Sequence, residues 1–208
     1  RGLEFRRVLF RSFLEKAKTS TADIVCFDLE DSVPDPEKKT ARDLIKKALQ
    51  SRGQYSSSVY VRTNSPISGK IPADLQEIIQ KGLDGIVIPK VNNPAELAKI
   101  TKIISSLEKK RKLKPVSVIP SIESAQGVVN TYEIAKSSKR IPAVVFGVFD
   151  LLNDLGIEYT KQAQGAQYSR AKIPVDAKAA EVLAIDGIWQ DLQDIDGLRE
   201  DCLAGKRL

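Results

Sequence analysis

The chain has 208 residues, of which 42% are hydrophobic and 29% charged, so it reads as an ordinary globular protein able to bury one sizeable core. Its formal charge is +6, but Lys and Arg are interleaved with acids along the helical stretches, which argues against a nucleic-acid partner. Histidine is absent, which excludes Ser–His–Asp triads and histidine zinc sites, and no apolar run nears the ~20 residues needed to cross a bilayer.

The chain contains no Met, and residues 4–12 read EFRRVLFRS, which resembles the in-frame translation of a sequencing-adapter tail. Residues 1–12 are therefore expected to be a non-native tail with few specific contacts, although Val8-Leu9-Phe10 is apolar enough to be drawn as a strand. At the other end AGKRL follows a helical segment without a terminus signal, so a fragment open at both ends is expected.

Six apolar runs follow: Ile24–Leu29, Val59–Arg62, Gly85–Pro89, Val116–Ile119, Ala143–Phe146 and Leu183–Ile188. They are short, rich in Val and Ile, and continuous, as parallel strands buried on both faces are. Helical periodicity lies between them, over Glu37–Leu49, Pro72–Lys81, Pro94–Lys109 and Gly127–Lys136, with Asn93 as a cap before Pro94. Pro174 falls in a further helical stretch, which it should kink or cap. Repeated βα units mean an α/β fold. Six strands fit either a doubly wound sheet or a (β/α)8 barrel, and the absence of GxGxxG disfavours a dinucleotide-binding sheet. Cys26 and Cys202 are far apart and form no CxxC, which suits a reduced, cytoplasmic setting.

Charged residues recur where these runs end. Asp28, Glu30 and Asp31 end the first, Arg62 the second and Lys90 the third. Glu123 lies just beyond the fourth, Asp150 just beyond the fifth and Asp186 within the sixth. In a barrel all these ends meet at one face, where charge is costly unless paired or ligated. Each has a structural alternative: Asp31 or Glu123 could cap the following helix, and Arg62 and Lys90 could pair with Glu30 or Asp31. Two carboxylates from neighbouring strands, Glu123 and Asp150, also make the usual partial protein shell for Mg²⁺.

The stretches ADIVCFDLEDSVPDPEKKTAR, VYVRTNSP, GIVIPKV, VIPSIESAQGVVN, AVVFGVFDLLNDLG and AIDGIWQDLQDIDGL, in order over residues 13–208, resemble the citrate lyase β-subunit branch of the HpcH/HpaI aldolase family. The resemblance implies a (β/α)8 TIM barrel, here truncated, over 13–208. It implies Mg²⁺-dependent carbon–carbon cleavage of a 3-hydroxyacyl-CoA thioester, such as citryl-CoA or malyl-CoA, to an acyl-CoA and a 2-oxo acid. It carries Mg²⁺ to Glu123 and Asp150, with Glu123 also beside the substrate, and catalysis and substrate binding to Arg62, expected to face the same pocket. Glu30 and Asp31 are expected to join Arg62 in catalysis, with Lys90 and Asp28 in the surrounding polar network. It also implies a homo-oligomer, often a trimer. The pyruvate-aldolase branch carries a histidine in a DGEH-type motif where this chain reads Asp28-Leu29-Glu30-Asp31, which favours the acyl-CoA branch. A class II pyruvate-type aldolase and a non-catalytic barrel subunit are the alternatives.

Overall fold

The structure is a computed structural model that describes residues 5–8, 11–161 and 163–208, with side chains from Leu14 onward. Seven parallel strands are described: β1 (Phe5–Val8), β2 (Ile24–Asp28), β3 (Ser58–Arg62), β4 (Gly85–Ile88), β5 (Ser117–Ile122), β6 (Ala143–Phe146) and β7 (Leu183–Ile185). Between and after them run α1 (Arg11–Ala17), α2 (Lys38–Gln50), α3 (Ile71–Ile78), α4 (Pro94–Arg111), α5 (Ala125–Val129), α6 (Thr131–Lys136), α7 (Val148–Leu155), α8 (Gln167–Ala179) and α9 (Ile195–Gly205). The sheet order is β1-β2-β3-β4-β5-β6-β7, with no reversal. A doubly wound sheet reverses at a switch point, so this order is that of a barrel, here an incomplete one. Among the described residues no helix is long and apolar enough to cross a membrane.

Strand alternation sorts the side chains into two layers. Val25, Phe27, Val59, Val61, Ile86, Ile88, Val118 and Val144 face the helices and join the large core cluster. Ile24, Cys26, Tyr60, Val87, Ile119, Ala143 and Ile185 face inward and form a smaller cluster of their own. Register then decides the barrel mouth. Asp28 pairs with Arg62 across β2 and β3, both in phase with the inward residues, so the last inward positions of these two strands are a carboxylate and a guanidinium side by side.

Several sequence expectations shift at their edges. Asn93 caps α4 as expected: its side chain accepts from the Glu96 N–H at 3.0 Å, and Glu96 in turn accepts from Asn93 Nδ2 and the Asn92 N–H. Gly127–Lys136 is not one helix. It divides at Asn130, whose Nδ2 donates to the Asn92 carbonyl, while the Thr131 hydroxyl donates to the carbonyls of Gly127 and Val128. Side chains that compete for backbone partners in this way interrupt a helix. β7 ends at Ile185 rather than Ile188, because Asp186 turns its carboxylate to Arg170 and to the Gly187 N–H. Pro174 does lie inside α8.

Within the stretch expected to be a non-native tail, Phe5–Val8 pairs through its backbone in parallel with β2, from Phe5–Ile24 to Val8–Phe27. The edge of β2 offers backbone groups that need partners, and an extended segment of almost any sequence supplies them. Of the run Val8-Leu9-Phe10, expected to be drawn as a strand, Leu9 and Phe10 lie outside the described residues.

Tyr60 fills interior space that β4 leaves open by carrying glycine. A Cβ on Gly85 would collide with the Tyr60 ring. Gly85→Ala is therefore expected to destabilise the protein by about 1–3 kcal/mol, with partial recovery in Gly85→Ala/Tyr60→Leu. Urea denaturation of both variants measures this, and an unperturbed midpoint in the single variant would contradict it.

Candidate active site

The centre of the mouth is Arg62, 1% exposed. Its Nε and Nη2 donate to Asp28 Oδ1 and Oδ2 at 2.7 and 2.5 Å. Its Nη1 lies 2.8 Å from Glu30 Oε2, yet off the hydrogen-bond direction, so neither Nη1 nor either Glu30 oxygen has an aligned hydrogen bond among the described residues. Asp28 also accepts from the Glu30 N–H and from the Ser32 hydroxyl. Burial by itself would raise the Asp28 pKa, but the Arg62 hydrogen bonds and charge, with Ser32 and the Glu30 N–H, outweigh it and hold Asp28 at about 2. Glu30 goes the other way. Burial pushes it up to about 7, with Glu123 and Asp31 adding to the rise and Arg62 and Lys90 opposing it.

Lys90 reaches over this group from the end of β4. Its Nζ lies 3.2 Å from Glu30 Oε1, 3.2 Å from Asp150 Oδ1 and 3.7 Å from Asp31 Oδ1. Asp31 is on the rim, 3.8 Å from Arg62 Nη1. It caps no helix: the turn after it is entered through Pro34, without a side-chain cap.

Glu123 and Asp150 line one cavity of about 730 Å³ together with Lys90. Glu123 is 2% exposed; its Oε1 accepts from the Ser121 hydroxyl at 2.5 Å, and its Oε2 has no partner among the described residues. It lies against Gly147, where a Cβ would collide with its side chain. Burial raises the Glu123 pKa and the Asp150 charge adds to that, against the Ser121 hydrogen bond and the charges of Arg62 and Lys90. Ser124, not Glu123, caps α5 by accepting from the Gly127 N–H. Asp150 leaves the first turn of α7. The same cavity is also lined by Pro66, Ile67, Ile71, Ile100 and Ile103, together with the polar side chains of Asn92, Glu96 and Lys99.

Not every expected residue belongs here. Asp186 pairs with Arg170, which also holds Asp201, away from the cavity that Glu123 lines. Arg62 and Glu30 lie outside the cavity lining; Arg62 is ion-paired with Glu30, as its structural alternative proposed, but its hydrogen-bonded partner is Asp28, which that alternative did not name. Lys38 is among the buried polar residues that escaped the sequence reading. Lys38 donates to the carbonyls of Leu29 and Glu30 at 2.6 and 2.7 Å, holding the acidic loop from behind. Burial lowers its pKa. Nothing in the run Lys38-Lys39 marks one lysine as buried; only the turn at Asp35–Glu37 aims it inward.

A fit for a hard cation rests on the Glu123–Asp150 pair. Among the described residues no group of three or more Asp, Glu, His or Cys side chains is arranged to hold a metal ion. Mg²⁺ commonly takes only one or two protein carboxylates, with water and substrate completing the shell. A buried carboxylate oxygen without a partner, Glu123 Oε2, suits that chemistry.

Parallel strands in sequential order with carboxylates and cations gathered at their carboxyl ends define a TIM-type (β/α) barrel carrying a polar pocket at its mouth. The profile of the HpcH/HpaI aldolase/citrate lyase family matches residues 9–208, and the chain belongs to that family. It is 34% identical to the citrate lyase subunit beta of Leuconostoc mesenteroides subsp. cremoris, over 85% of this chain and 59% of that one. It is 32% identical to a (3S)-malyl-CoA thioesterase of Cereibacter sphaeroides, over 97% of this chain and 69% of that one. The crystal structure of Mycobacterium tuberculosis protein CitE in complex with magnesium and pyruvate superposes with a TM-score of 0.76 at 25% identity, covering 96% of this chain and 79% of that one. The chain thus spans 59% of the first of these relatives and 69% of the second.

Two measurements check the electrostatics. Asp28→Ala leaves the Arg62 charge buried without its main partner and is expected to cost about 3–5 kcal/mol by urea denaturation. Glu30 has a folded-state pKa raised from 4.5 to about 7. Its contribution to stability is therefore full below pH 4.5 and is lost as pH rises through 7. Stability should fall over that window, and fall less in Glu30→Gln; equal slopes for the two proteins would refute the assignment.

Proposed function

We propose that the mouth is a divalent-cation-assisted carbon–carbon lyase site for a 3-hydroxyacyl-CoA thioester, of the citryl-CoA or malyl-CoA kind. The observation that carries this reading is one cavity lined both by the carboxylates of Glu123 and Asp150 and by the apolar side chains of Ile67, Ile71, Ile100 and Ile103. A small 2-oxo acid alone would leave the apolar part of this lining unused, whereas an acyl thioester presents a carboxylate end and a long arm of mixed polarity. The family membership and the two curated relatives, one a lyase subunit and one a malyl-CoA thioesterase, support it.

Glu123 and Asp150 would hold Mg²⁺, which polarises carbonyl and carboxylate oxygens as a Lewis acid. The reaction breaks one carbon–carbon bond. The substrate hydroxyl at C3 loses its proton and becomes the carbonyl of the 2-oxo acid, the pair of the C2–C3 bond moves onto the thioester as an enolate, and the α-carbon C2 then takes up a proton returned from the base or from water. Glu30, with its pKa near 7, is the proposed acceptor of the hydroxyl proton, and Asp31 on the rim assists. Arg62, held by Asp28 through Nε and Nη2, would offer Nη1 to a substrate oxygen once Glu30 moves off it, since neither Arg62 nor Glu30 lines the cavity while they are paired. The reading includes a cytoplasmic homo-oligomer, a trimer by the family pattern. Exposed Leu183, Leu192 and Ile195 support association.

The test is release of 2-oxo acid from citryl-CoA, malyl-CoA and citramalyl-CoA, with Mg²⁺ or with chelator. Glu123→Ala and Asp150→Ala should each lower Mg²⁺-dependent cleavage by roughly 10²-fold or more, and Arg62→Lys by a similar factor without loss of metal binding. Release of free hydroxy acid instead of 2-oxo acid would reassign the site to thioester hydrolysis. Undiminished cleavage by the Glu123→Ala/Asp150→Ala double variant would end the proposal.

A further inference from the structure

Lys90 stands out among the residues of the mouth. It follows the end of β4 with φ 54°, in the left-handed region that a residue with a Cβ seldom adopts. Strained backbone at a pocket invites the question of what the strained side chain does. Here it places one ammonium between acids from two distant elements: Glu30 and Asp31 on the loop after β2, and Asp150 on α7 after β6. Its side chain is 33% exposed and lines the cavity, so it can move without opening the core.

The charges around it do not balance. Asp28 and Arg62 neutralise one another. Glu30, Asp31, Glu123 and Asp150 remain, with Lys90 ion-paired to three of them, while Arg62 Nη1 also lies 2.8 Å from Glu30 and Lys99 lines the same cavity. The ammonium touches Asp150 but has no ion pair with Glu123, whose Oε2 is buried without a hydrogen-bond partner among the described residues. One carboxylate of the pair is therefore engaged and the other is waiting.

Building on the divalent-cation reading of this site, we propose that Lys90 is a positioning residue whose ammonium occupies Asp150 while the site is empty and withdraws onto Glu30 and Asp31 when a divalent cation binds Asp150 and Glu123. Glu30 and Asp31 already lie within 3.7 Å of Nζ, so withdrawal needs no new partner. The ammonium keeps the acids from repelling one another before the cation arrives, and it weakens the cation's hold by competing for one ligand and by like charge.

Mn²⁺ binding to the 208-residue chain, followed by calorimetry at low ionic strength, tests this with three variants. Lys90→Asn removes the ammonium and keeps a residue that tolerates a left-handed backbone. It should bind Mn²⁺ roughly tenfold more tightly than wild type. Lys90→Arg keeps the charge and should bind within about twofold of wild type. Asp150→Asn is the reference for loss of the site and should bind at least tenfold more weakly, as loss of a ligand carboxylate requires. A second measurement on wild type needs no variant to fold: the Lys90 signal in ¹³C-methyl-lysine spectra should move as Mg²⁺ saturates the site. If wild type binds Mn²⁺ but Lys90→Asn binds no more tightly, or the Lys90 signal does not move, the Lys90 proposal falls alone. If wild type binds no Mn²⁺, the divalent-cation reading falls and takes this proposal with it.

Discussion

A guanidinium cannot sit inside a barrel unless its nitrogens face acids, and the burial of Arg62 imposes that demand on everything around it. Asp28 answers it with a two-pronged pair from the neighbouring strand, in direct register. Glu30 is drawn in against Nη1, and its loop is pinned from behind by Lys38. On the other side, Asp74 is fully buried and accepts from the Asn64 N–H, Asn64 Nδ2 and Arg42, which fixes the loop that follows β3. The mouth is therefore not a set of independent acids. The positions of Asp28 and Glu30 follow from how one buried cation is satisfied.

The same burial divides the carboxylates into two kinds. Asp28 has the Arg62 fork, a hydroxyl and a backbone N–H, enough to outweigh desolvation and keep it charged. Glu30 and Glu123 are buried with fewer aligned partners and near other acids, so both are pushed up. Environments that drive neighbouring acids apart in this way separate a structural charge from groups able to exchange a proton or a ligand. Asp28 belongs to the first kind, and its value to the site is to hold Arg62 still.

Small residues make that crowding possible. Gly147 lets Glu123 lie across β6, and Gly85 lets Tyr60 fill the interior below the mouth. The bulky inward layer of Ile24, Tyr60, Val87 and Ile119 forms an apolar floor. Polar groups are thereby confined to the carboxyl ends of the strands, where the cavity opens.

Much of this was legible beforehand. Continuous Val- and Ile-rich runs separated by helical periods specify parallel βα units, because only strands covered on both faces can be apolar throughout. Acids and bases recurring at the ends of those runs specify a polar mouth, since charge is excluded from the layers below. Ala143–Phe146 is a strand over the expected residues, and the Asn93 cap forms as its sequence requires. Local sequence could not say which partners the mouth residues choose. That Arg62 turns to Asp28 depends on β2–β3 register, that Lys90 spans from Glu30 to Asp150 depends on a left-handed turn and on strands far apart in the chain, and that Lys38 rather than Lys39 is buried depends on the turn before α2. Periodicity and strand-end charge are properties of short segments and are written in the sequence. Pairing, burial and the resulting pKa shifts arise only when distant segments are brought to one face, and the tertiary structure alone decided them.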